Sequence, residues 1–288
     1  MRRWIRPSVA AGCFLAEALP AMASGPLPSG AKLQALLAHM KANIARNEIL
    51  AEQYTSVEEW KNLNWNKKGK ETDDETAKYE NVFVEGLPYR RKVAEDGKPL
   101  TGKAAAKEKQ RYDKAVDERK HMTLAEKRGF FHRTVHSDLP MMYLTTLFNN
   151  RVTGETVVNG RKTYVVVSTP KADANPSGAG EKSALNWKQT TWIDEADDMP
   201  VRTVAVALRN EKMFRKGMLI QVDMERLPPR PDNPGGGAVW VQQDSIAKGW
   251  ARVLLFDRRV ETVTRYSDYK KFAVDVRLLP NTMRMVTN

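Results

Sequence analysis

The sequence predicts an α+β protein whose centre is a run of antiparallel strands. Six β-rich segments follow one another between residues 161 and 272, and only turns and loops separate them. No helical pattern in this stretch is long enough to connect parallel strands. Short strands with turn signals between them are typical of a β-sandwich or of an open or closed barrel.

The strands are predicted where β-branched and aromatic residues recur between turn residues. The six segments of the central run are Thr163–Ser168, Lys188–Asp194, Val201–Leu208, Met218–Met224, Val239–Gln243 and Arg252–Asp268. Upstream, a hairpin is predicted from Thr76–Val84 and Leu87–Glu95 around Gly86, and a further strand from Tyr143–Val158. Asn159 and Gly160 follow that strand and form a strong signal for a two-residue hairpin turn.

Three segments have helical patterns instead. Ala31–Thr55 carries an apolar stripe at helical spacing, with Ser29 as a possible cap: Leu33, Leu36, Leu37, Met40 and Ile44. Leu100–Arg119 is rich in Ala, Lys and Glu with Thr101 before it, and Leu124–Val135 follows before Pro140. The stretches 170–180 and 227–237 are rich in Pro and Gly and predict irregular loops.

The N-terminus has the pattern of a secretory signal peptide. Arg2, Arg3 and Arg6 precede a short apolar region, and Ala21-Met22-Ala23 matches the small-residue cleavage signal before Ser24. The alternative is a lipoprotein signal in which Cys13 is acylated, with a very short apolar region before it. Both interpretations predict export to the periplasm, either as a released chain or as a lipid-anchored one.

Composition limits the chemistry that the exported chain can perform. Cys13 is the one cysteine, so cleavage after Ala23 leaves no disulfide, thiolate nucleophile or cysteine metal site. The 288 residues are 41% hydrophobic with a formal net charge of +12, and a mean hydropathy of −0.56 argues against an integral membrane protein. Basic and acidic residues alternate, which is typical of a solvated helix, and nucleic acid is not a predicted partner.

Several motifs resemble the LolA/LolB-like superfamily of bacterial exported proteins, the outer-membrane lipoprotein-sorting proteins. They include Glu85–Leu100 leading into a charged helix and Val158–Tyr164 before a strand. The segment Thr191–Arg202 looks like the W-I-D…P-V-R hairpin of that superfamily, and Leu254–Asp257 and Tyr266–Phe272 resemble its closing strand.

The resemblance implies an open antiparallel half-barrel with helices covering the concave side. It further implies one domain over residues 24–272 with a helical insert at 101–137, after a signal peptide at 1–23 and before a tail at 273–288. Carriers of this superfamily hold acyl chains of lipoproteins in an apolar cavity without covalent chemistry. The expected partners are lipid or lipoprotein acyl chains bound by a monomer, with the insert as a lid, and also envelope proteins and a peripheral contact with the membrane. The alternative is an envelope sensor or protein-interaction module on the same fold.

Such a cavity would be lined by large apolar side chains of the strands and the insert. The candidates are Trp187, Trp192, Met218, Trp240, Val253, Phe256, Phe130 and Phe131. Each could equally be part of an ordinary core, because aromatic stripes usually pack internally. Neighbours on one strand face opposite ways, so not all eight can line one cavity.

Reactive groups are not predicted. His132 and His136 have a spacing that could place two imidazoles on one metal, but the glutamate of H-E-x-x-H is missing. No G-x-S-x-G, Walker or G-x-G-x-x-G motif occurs, and Asp194, Asp197 and Asp198 fall where turn-forming aspartates are expected. The sequence thus predicts a binding protein with no catalytic residue, metal or cofactor.

Overall fold

The computed structural model describes residues 25–66, 68–135, 144–229, 238–253 and 256–272. Within these ranges, the side chains of residues 73, 128, 131–135, 144, 253 and 256 are not described. The predicted signal peptide, the tail, His136 and Cys13 lie outside the described residues, so nothing in the structure tests the predictions that concern them.

In the described part of the chain, eleven strands form one antiparallel sheet, which does not close on itself. In chain order they are β1 (Tyr54–Trp65), β2 (Glu71–Val84), β3 (Leu87–Glu95), β4 (Lys98–Pro99), β5 (Phe148–Val158), β6 (Arg161–Pro170), β7 (Trp187–Asp194), β8 (Pro200–Ala207), β9 (Leu219–Leu227), β10 (Val239–Val253) and β11 (Phe256–Lys271). The spatial order is β4-β3-β2-β1-β11-β10-β9-β8-β7-β6-β5, so β4 and β5 are the edges. The predicted open antiparallel sheet is confirmed.

One long-range pairing joins the two parts of the sheet. β1 pairs with β11 from Tyr54 opposite Lys271 to Trp65 opposite Arg259. All other neighbours in the sheet are also neighbours along the chain, as in a meander of hairpins. The helical insert lies between β4 and β5 in the sequence, and these two strands form the two opposite edges of the sheet.

Three hairpin turns have the backbone that two-residue turns require. Glu85-Gly86, Asp96-Gly97 and Asn159-Gly160 all have positive φ at both positions, between 49° and 78°. This conformation matches the twist of the flanking strands and favours Gly at the second position because Gly lacks a Cβ. The hairpins predicted at Gly86 and Asn159-Gly160 are confirmed.

The described residues also form five helices: α1 (Gly30–Ala51), α2 (Gly102–Lys120), α3 (Leu124–Val135), α4 (Leu144–Leu147) and α5 (Ala179–Ala184). Ser29 and Thr101 occupy the N-cap positions as expected, but neither side chain makes a capping hydrogen bond. The strand predicted from Tyr143 begins only at Phe148, because α4 places Leu147 in the core beside Phe148.

The two faces of the sheet differ in what packs on them. We call the face that carries Val166, Ile193 and Val201 the inner face, because these side chains form one buried cluster with the apolar stripe of α1. Following the strand pairings, the inner face continues through Thr203, Val222, Ser245 and Thr264 to Trp60 on β1. It then reaches Tyr79 on β2 opposite Glu58, and Arg90 on β3 opposite Asn81.

Helices α2 and α3 pack on the outer face. Tyr89 precedes Arg90 on β3 and therefore points the other way. Its ring makes an edge contact with Tyr112 of α2, and its hydroxyl donates to Glu108 at 3.0 Å. The predicted arrangement, with the helices together on one concave side, is corrected accordingly: α1 lies on the inner face, whereas α2 and α3 contact β3 from the outer face.

Candidate functional site

The half of the inner face under α1 is filled with the chain's own side chains. All five residues of the predicted apolar stripe are buried, and Leu37 and Met40 are no more than 1% exposed. They pack on Val166 and Ile193 of the sheet, which are completely buried. This part of the inner face is therefore a core, and a ligand could enter it only if α1 moved away.

Polar contacts hold α1 on the sheet. Asn47 accepts a hydrogen bond from the Trp240 amide and donates one to its carbonyl, both at 2.7 Å. Asn43 donates to the Asp197 carbonyl at 2.8 Å. Because these side chains bind backbone groups of β10 and of the β7–β8 turn, they fix the position of α1 on the sheet as well as its distance from it.

Asp194 organises that turn. Its side chain is 2% exposed and accepts two hydrogen bonds from Arg161, at 2.5 and 2.8 Å, and two from the amides of Ala196 and Asp197. Although burial opposes it, these donors and the arginine charge hold the pKa of Asp194 below its usual value. Asp194 is the turn-forming aspartate that the sequence predicts, and the W-I-D hairpin is a structural element here.

A second buried cluster lies on the inner face at the end of β7 and β8. Trp187, Ala205, Ala207, Met218 and Val260 form it, and Phe214 packs against it with its ring 4.6 Å from that of Trp187. The segment between β8 and β9 closes over this cluster, so it too belongs to the core.

The remaining part of the inner face forms a strip of aromatic and polar side chains on β11, β1 and β2. We define the aromatic strip as Trp60, Tyr79, Tyr266 and Tyr269 together with Glu58 and Arg90. Trp60 lies opposite Thr264, and Glu58 lies between Tyr79 and Tyr266 on the neighbouring strands. The four aromatic side chains are half-buried. The main contacts of the described helices are with β10, β5, β3 and β2, so no described helix packs broadly over β11 and β1.

An ion pair lies at the centre of the strip. Arg90 donates two hydrogen bonds to the Glu58 carboxylate, at 2.6 and 2.8 Å, and stacks 3.4 Å from the centre of the Tyr79 ring. The Glu58 side chain is 6% exposed, whereas Arg90 is 45% exposed. Asn81 donates to both Glu58 and Ser56. The acid is thus fully enclosed by donors, while the guanidinium presents an exposed edge to whatever lies on the strip.

The electrostatics of the strip favour neutral tyrosines. Burial, followed by the charge of Glu58, raises the pKa of Tyr266 to about 12. Burial likewise raises the pKa of Tyr269, whose hydroxyl donates to the Gln242 carbonyl. At neutral pH these phenols are hydrogen-bond donors attached to apolar rings, and neither is suited to act as a base.

Glu52, at the end of α1 just before β1, has an unusual carboxyl group. Burial, with a smaller contribution from the charge of Glu48, raises the pKa of Glu52 to about 8. It is consequently mostly protonated at neutral pH and lowers the negative charge where α1 leads into β1.

The eight cavity residues predicted from the sequence do not come together. Trp187 and Met218 lie in the second cluster and Trp240 in the cluster under α1. Trp192 lies beside Arg202 and packs against the same cluster as Trp240, and Phe130 of α3 packs 4.9 Å from the Arg119 guanidinium. The side chains of Phe131, Val253 and Phe256 are outside the described residues. Whether any of the eight contacts a ligand stays a prediction.

None of the residues of the aromatic strip is among the candidates predicted from the sequence. Trp60 and Glu58 alternate with the exposed Glu59 and Lys61 on β1, which is the two-residue period of a strand with one buried face. This alternation can be recognised from the sequence alone. The partnership of Trp60 with Thr264, and of Glu58 with Arg90, depends on pairings between distant segments that a local pattern does not contain.

Chemical groupings other than the strip are few in the described part of the chain. No cluster of three or more His, Asp or Glu side chains that could hold a metal occurs there, and His132 and His136 fall outside the described side chains. A surface depression of about 550 Å³ lies elsewhere, beside α5 and the β8–β9 segment, with Lys182, Leu185, Asn186 and Glu211 in its lining. Among the described helices, none has the length and apolarity needed to cross a membrane.

Comparison with known proteins finds likenesses among solved structures. A domain named for outer-membrane lipoprotein sorting, from Vibrio parahaemolyticus, is 12% identical over 81% of this chain and 92% of its own, with a TM-score of 0.34. A LolA superfamily protein from Nitrosomonas europaea is 12% identical over 84% of this chain and 94% of its own, with a TM-score of 0.29. A chain of the MucA/MucB complex from Pseudomonas aeruginosa is 12% identical over 82% and 99%, with a TM-score of 0.21.

LolA-like proteins, which the sequence motifs resemble, are among the solved structures that this chain is similar to. No protein-family model matches the chain, and no curated protein matches it. With TM-scores of 0.34 or less, the solved structures carry no argument about what this chain binds. That question rests on the chain's own residues.

Proposed function

We propose that the protein is an exported, periplasmic binding protein that holds an acyl chain of a lipid or lipoprotein on the aromatic strip, without covalent chemistry. The observation that carries the proposal is the contrast within one face of the sheet. Under α1 the inner face is filled, whereas on β11, β1 and β2 it presents half-buried aromatic rings that no described helix packs over broadly.

The strip has the chemistry that an amphiphile needs. Trp60 and the tyrosine rings offer apolar surface to methylene groups, and each buried CH₂ contributes about 0.8 kcal/mol. Ten such groups give a gross gain of about 8 kcal/mol, of which the cost of association takes roughly half. The net gain of about 4 kcal/mol corresponds to a dissociation constant of about 1 mM, and longer acyl chains are expected to bind more tightly. Weak binding of this kind suits a carrier that must release its cargo.

Polar atoms on the strip suit the head of such a ligand. The exposed edge of Arg90 can donate hydrogen bonds to a carboxylate, ester or phosphate oxygen. Because Glu58 already neutralises the charge of Arg90, the site does not demand a strongly anionic ligand. An ester-linked acyl chain and a free fatty acid would both fit this description.

Binding of a dansyl-labelled undecanoic acid tests the proposal. Wild-type protein is expected to increase the dansyl fluorescence saturably, and Trp60→Ala is expected to weaken binding at least tenfold. Trp65→Ala is the matched control, because Trp65 lies on the same strand but pairs with Arg259 on the outer face. It is expected to change the affinity less than twofold. No saturable binding by the wild type, or equal effects of the two substitutions, would refute the proposal.

A second candidate function is an interaction module that uses α2. Several lysines of this helix, including Lys103, Lys107 and Lys120, are exposed, and the helix lies on the outer face, away from the strip. Deleting the helix would be a poor test, because Arg111 and Arg119 donate to the carbonyls of Arg90 and Leu87 on β3. Changing the three lysines to Glu is a cleaner one. Loss of a co-purified envelope protein, with fatty-acid binding intact, would favour this function over the carrier.

A further inference from the structure

The end of the sheet between β8 and β9 carries an unusual concentration of exposed apolar side chains. Met213 is 75% exposed, Leu208 is 41% exposed and Trp250, near the end of β10, is 40% exposed. Lone exposed apolar residues are common on protein surfaces, but a group of them marks a contact site. We define the end patch as these three residues with three lysines around them: Leu208, Lys212, Met213, Lys216, Lys248 and Trp250.

Backbone pairing holds the apolar members of the end patch in place. The Arg215 amide donates to the Trp250 carbonyl and the Arg252 amide donates to the Met213 carbonyl, both at 2.9 Å. Between them, Phe214 turns inward and packs on Trp187. Phe214 packs inward, and the backbone of this segment is hydrogen-bonded to β10. The neighbouring Met213 therefore points outward in a fixed position beside Trp250.

The charge around this apolar group is positive. Lys212, Lys216 and Lys248 are exposed, and Lys248 lies opposite Glu261 on β11. Two other nearby acids are engaged, since Glu211 accepts from Asn186 at 2.5 Å and Asp257 accepts from Arg215 at 2.6 Å. The end patch therefore combines projecting apolar side chains with the ammonium groups of Lys212 and Lys216.

We infer that the end patch docks the protein on an anionic membrane surface. Trp side chains favour the interface between head groups and acyl chains, and lysines beside them are attracted by anionic lipids. A protein partner fits the composition less well, because lysine is depleted at protein–protein interfaces. This inference is independent of the aromatic strip, whose residues lie on other strands and do not belong to the end patch.

Docking through this patch would bring one end of the sheet to the lipid. Met213 and Trp250 would enter the head-group layer, as the apolar members of interfacial segments do. Val260 of the second buried cluster precedes Thr262 and Thr264, which lie beside the strip on β11. β11 thus leads from the buried cluster on which Phe214 packs towards the proposed binding site.

Co-sedimentation with vesicles tests the inference on the full chain. We expect binding to vesicles of phosphatidylcholine with a quarter phosphatidylglycerol and at least tenfold weaker binding to phosphatidylcholine alone. The double variant Met213→Ser, Trp250→Ser is expected to lower the partition coefficient at least tenfold. Lys212→Gln and Lys216→Gln are expected to lower it about fivefold each and to reduce its dependence on salt.

The matched control changes two exposed apolar residues elsewhere. Leu124 on α3 is 44% exposed and Val157 on β5 is 55% exposed, and Leu124→Ser, Val157→Ser is expected to bind vesicles as the wild type does. Circular dichroism and a urea titration establish that each variant is folded. Equal binding to both kinds of vesicle, no binding, or equal losses in the two double variants would overturn the inference. Dansyl-fatty-acid binding should be unchanged in all of them, so a failure here is separate from a failure of the proposed function.

Discussion

The two parts of the inner face have the same strand geometry but opposite surroundings. Under α1, side chains such as Leu37, Val166 and Ile193 have no exposed surface. On β11, β1 and β2, Trp60 and Tyr266 are only half-buried and surround a bidentate ion pair. One part contributes mainly to folding, and the other leaves apolar and polar groups available for binding.

Helices α1 and α2 also differ in what they contribute to the sheet. α1 is fixed by its apolar stripe and by Asn43 and Asn47, which bind backbone groups of the sheet. α2 touches the sheet through Tyr112 and two arginines at β3, of which the edge strand β4 covers only the last two residues. A sheet of this size therefore needs α1 for its core, whereas α2 mainly protects an edge whose carbonyls would otherwise be open to other strands.

The largest difference in stability is expected between side-chain truncations in the two parts of the inner face. Leu37→Ala removes a completely buried side chain, and we expect it to lower the free energy of unfolding by about 3 kcal/mol. Trp60→Ala is expected to cost about 1 kcal/mol because its side chain is only half-buried, while it weakens ligand binding. Urea denaturation followed by circular dichroism measures both.

Leu50→Ala serves as the control on the same helix, because Leu50 is 39% exposed. Its effect on stability should be within about 0.5 kcal/mol. If Trp60→Ala destabilised the protein as much as Leu37→Ala, the strip would be a part of the core and the comparison would fail.

An intermediate loss of stability is expected when the ion pair between Arg90 and Glu58 is broken. Arg90→Ala leaves the Glu58 carboxylate buried without its main partner, and we expect a loss of about 2 kcal/mol, reduced by the exposure of Arg90. Arg91→Ala removes the neighbouring arginine, which pairs with Glu80 on the outer face with both side chains at least 36% exposed. That loss should stay below about 1 kcal/mol.

A double-mutant cycle sharpens this test. Combining Arg90→Ala with Glu58→Gln removes the uncompensated charge and is expected to recover part of the stability that Arg90→Ala loses. Additive effects of the two substitutions would show that the pair is not coupled, contrary to the geometry.

A further difference is expected at Glu52 and depends on pH. Its pKa of about 8 in the folded chain lies above the usual value of 4.5, so the folded state retains a proton that the unfolded state has lost. Stability from this group is therefore full below about pH 4.5 and declines as the pH rises towards 8. Glu52→Gln should be more stable than the wild type at pH 8 and equal to it at pH 4. A difference that does not change with pH would contradict the raised pKa.

Local patterns predicted the elements that depend on nearby residues. The five apolar positions of α1 are all buried, and the bounds of β3 and α3 match the predictions. β10 was predicted only as Val239–Gln243 because residues 244–251 lack a strand's apolar alternation, yet it continues to Val253 between β9 and β11. There, hydrogen bonds from two neighbouring strands outweigh weak local propensity. Gly249 also allows a close approach, since a Cβ would lie 2.8 Å from the Met218 Cα.

The candidate site could be predicted only in part, for a topological reason. Glu58, Arg90 and Tyr266 meet because β1 pairs with β11, which lies some 200 positions away in the chain, and because β2 and β3 follow in register. The face on which α2 packs is set by whether Tyr89 or Arg90 points inward. A shift of one residue in the register of β3 would place α2 on the other face of the sheet, although the sequence pattern would be the same.

A photoreactive fatty acid would test the central claim most directly. After irradiation with a diazirine-labelled palmitic acid, digestion and mass spectrometry locate the covalent adducts. The account predicts adducts on peptides from β1, β2 and β11 that contain Trp60, Tyr79 or Tyr266, and their loss when unlabelled palmitic acid competes. Adducts confined to α1, or to α2 and α3, would contradict the claim that the aromatic strip is the binding surface.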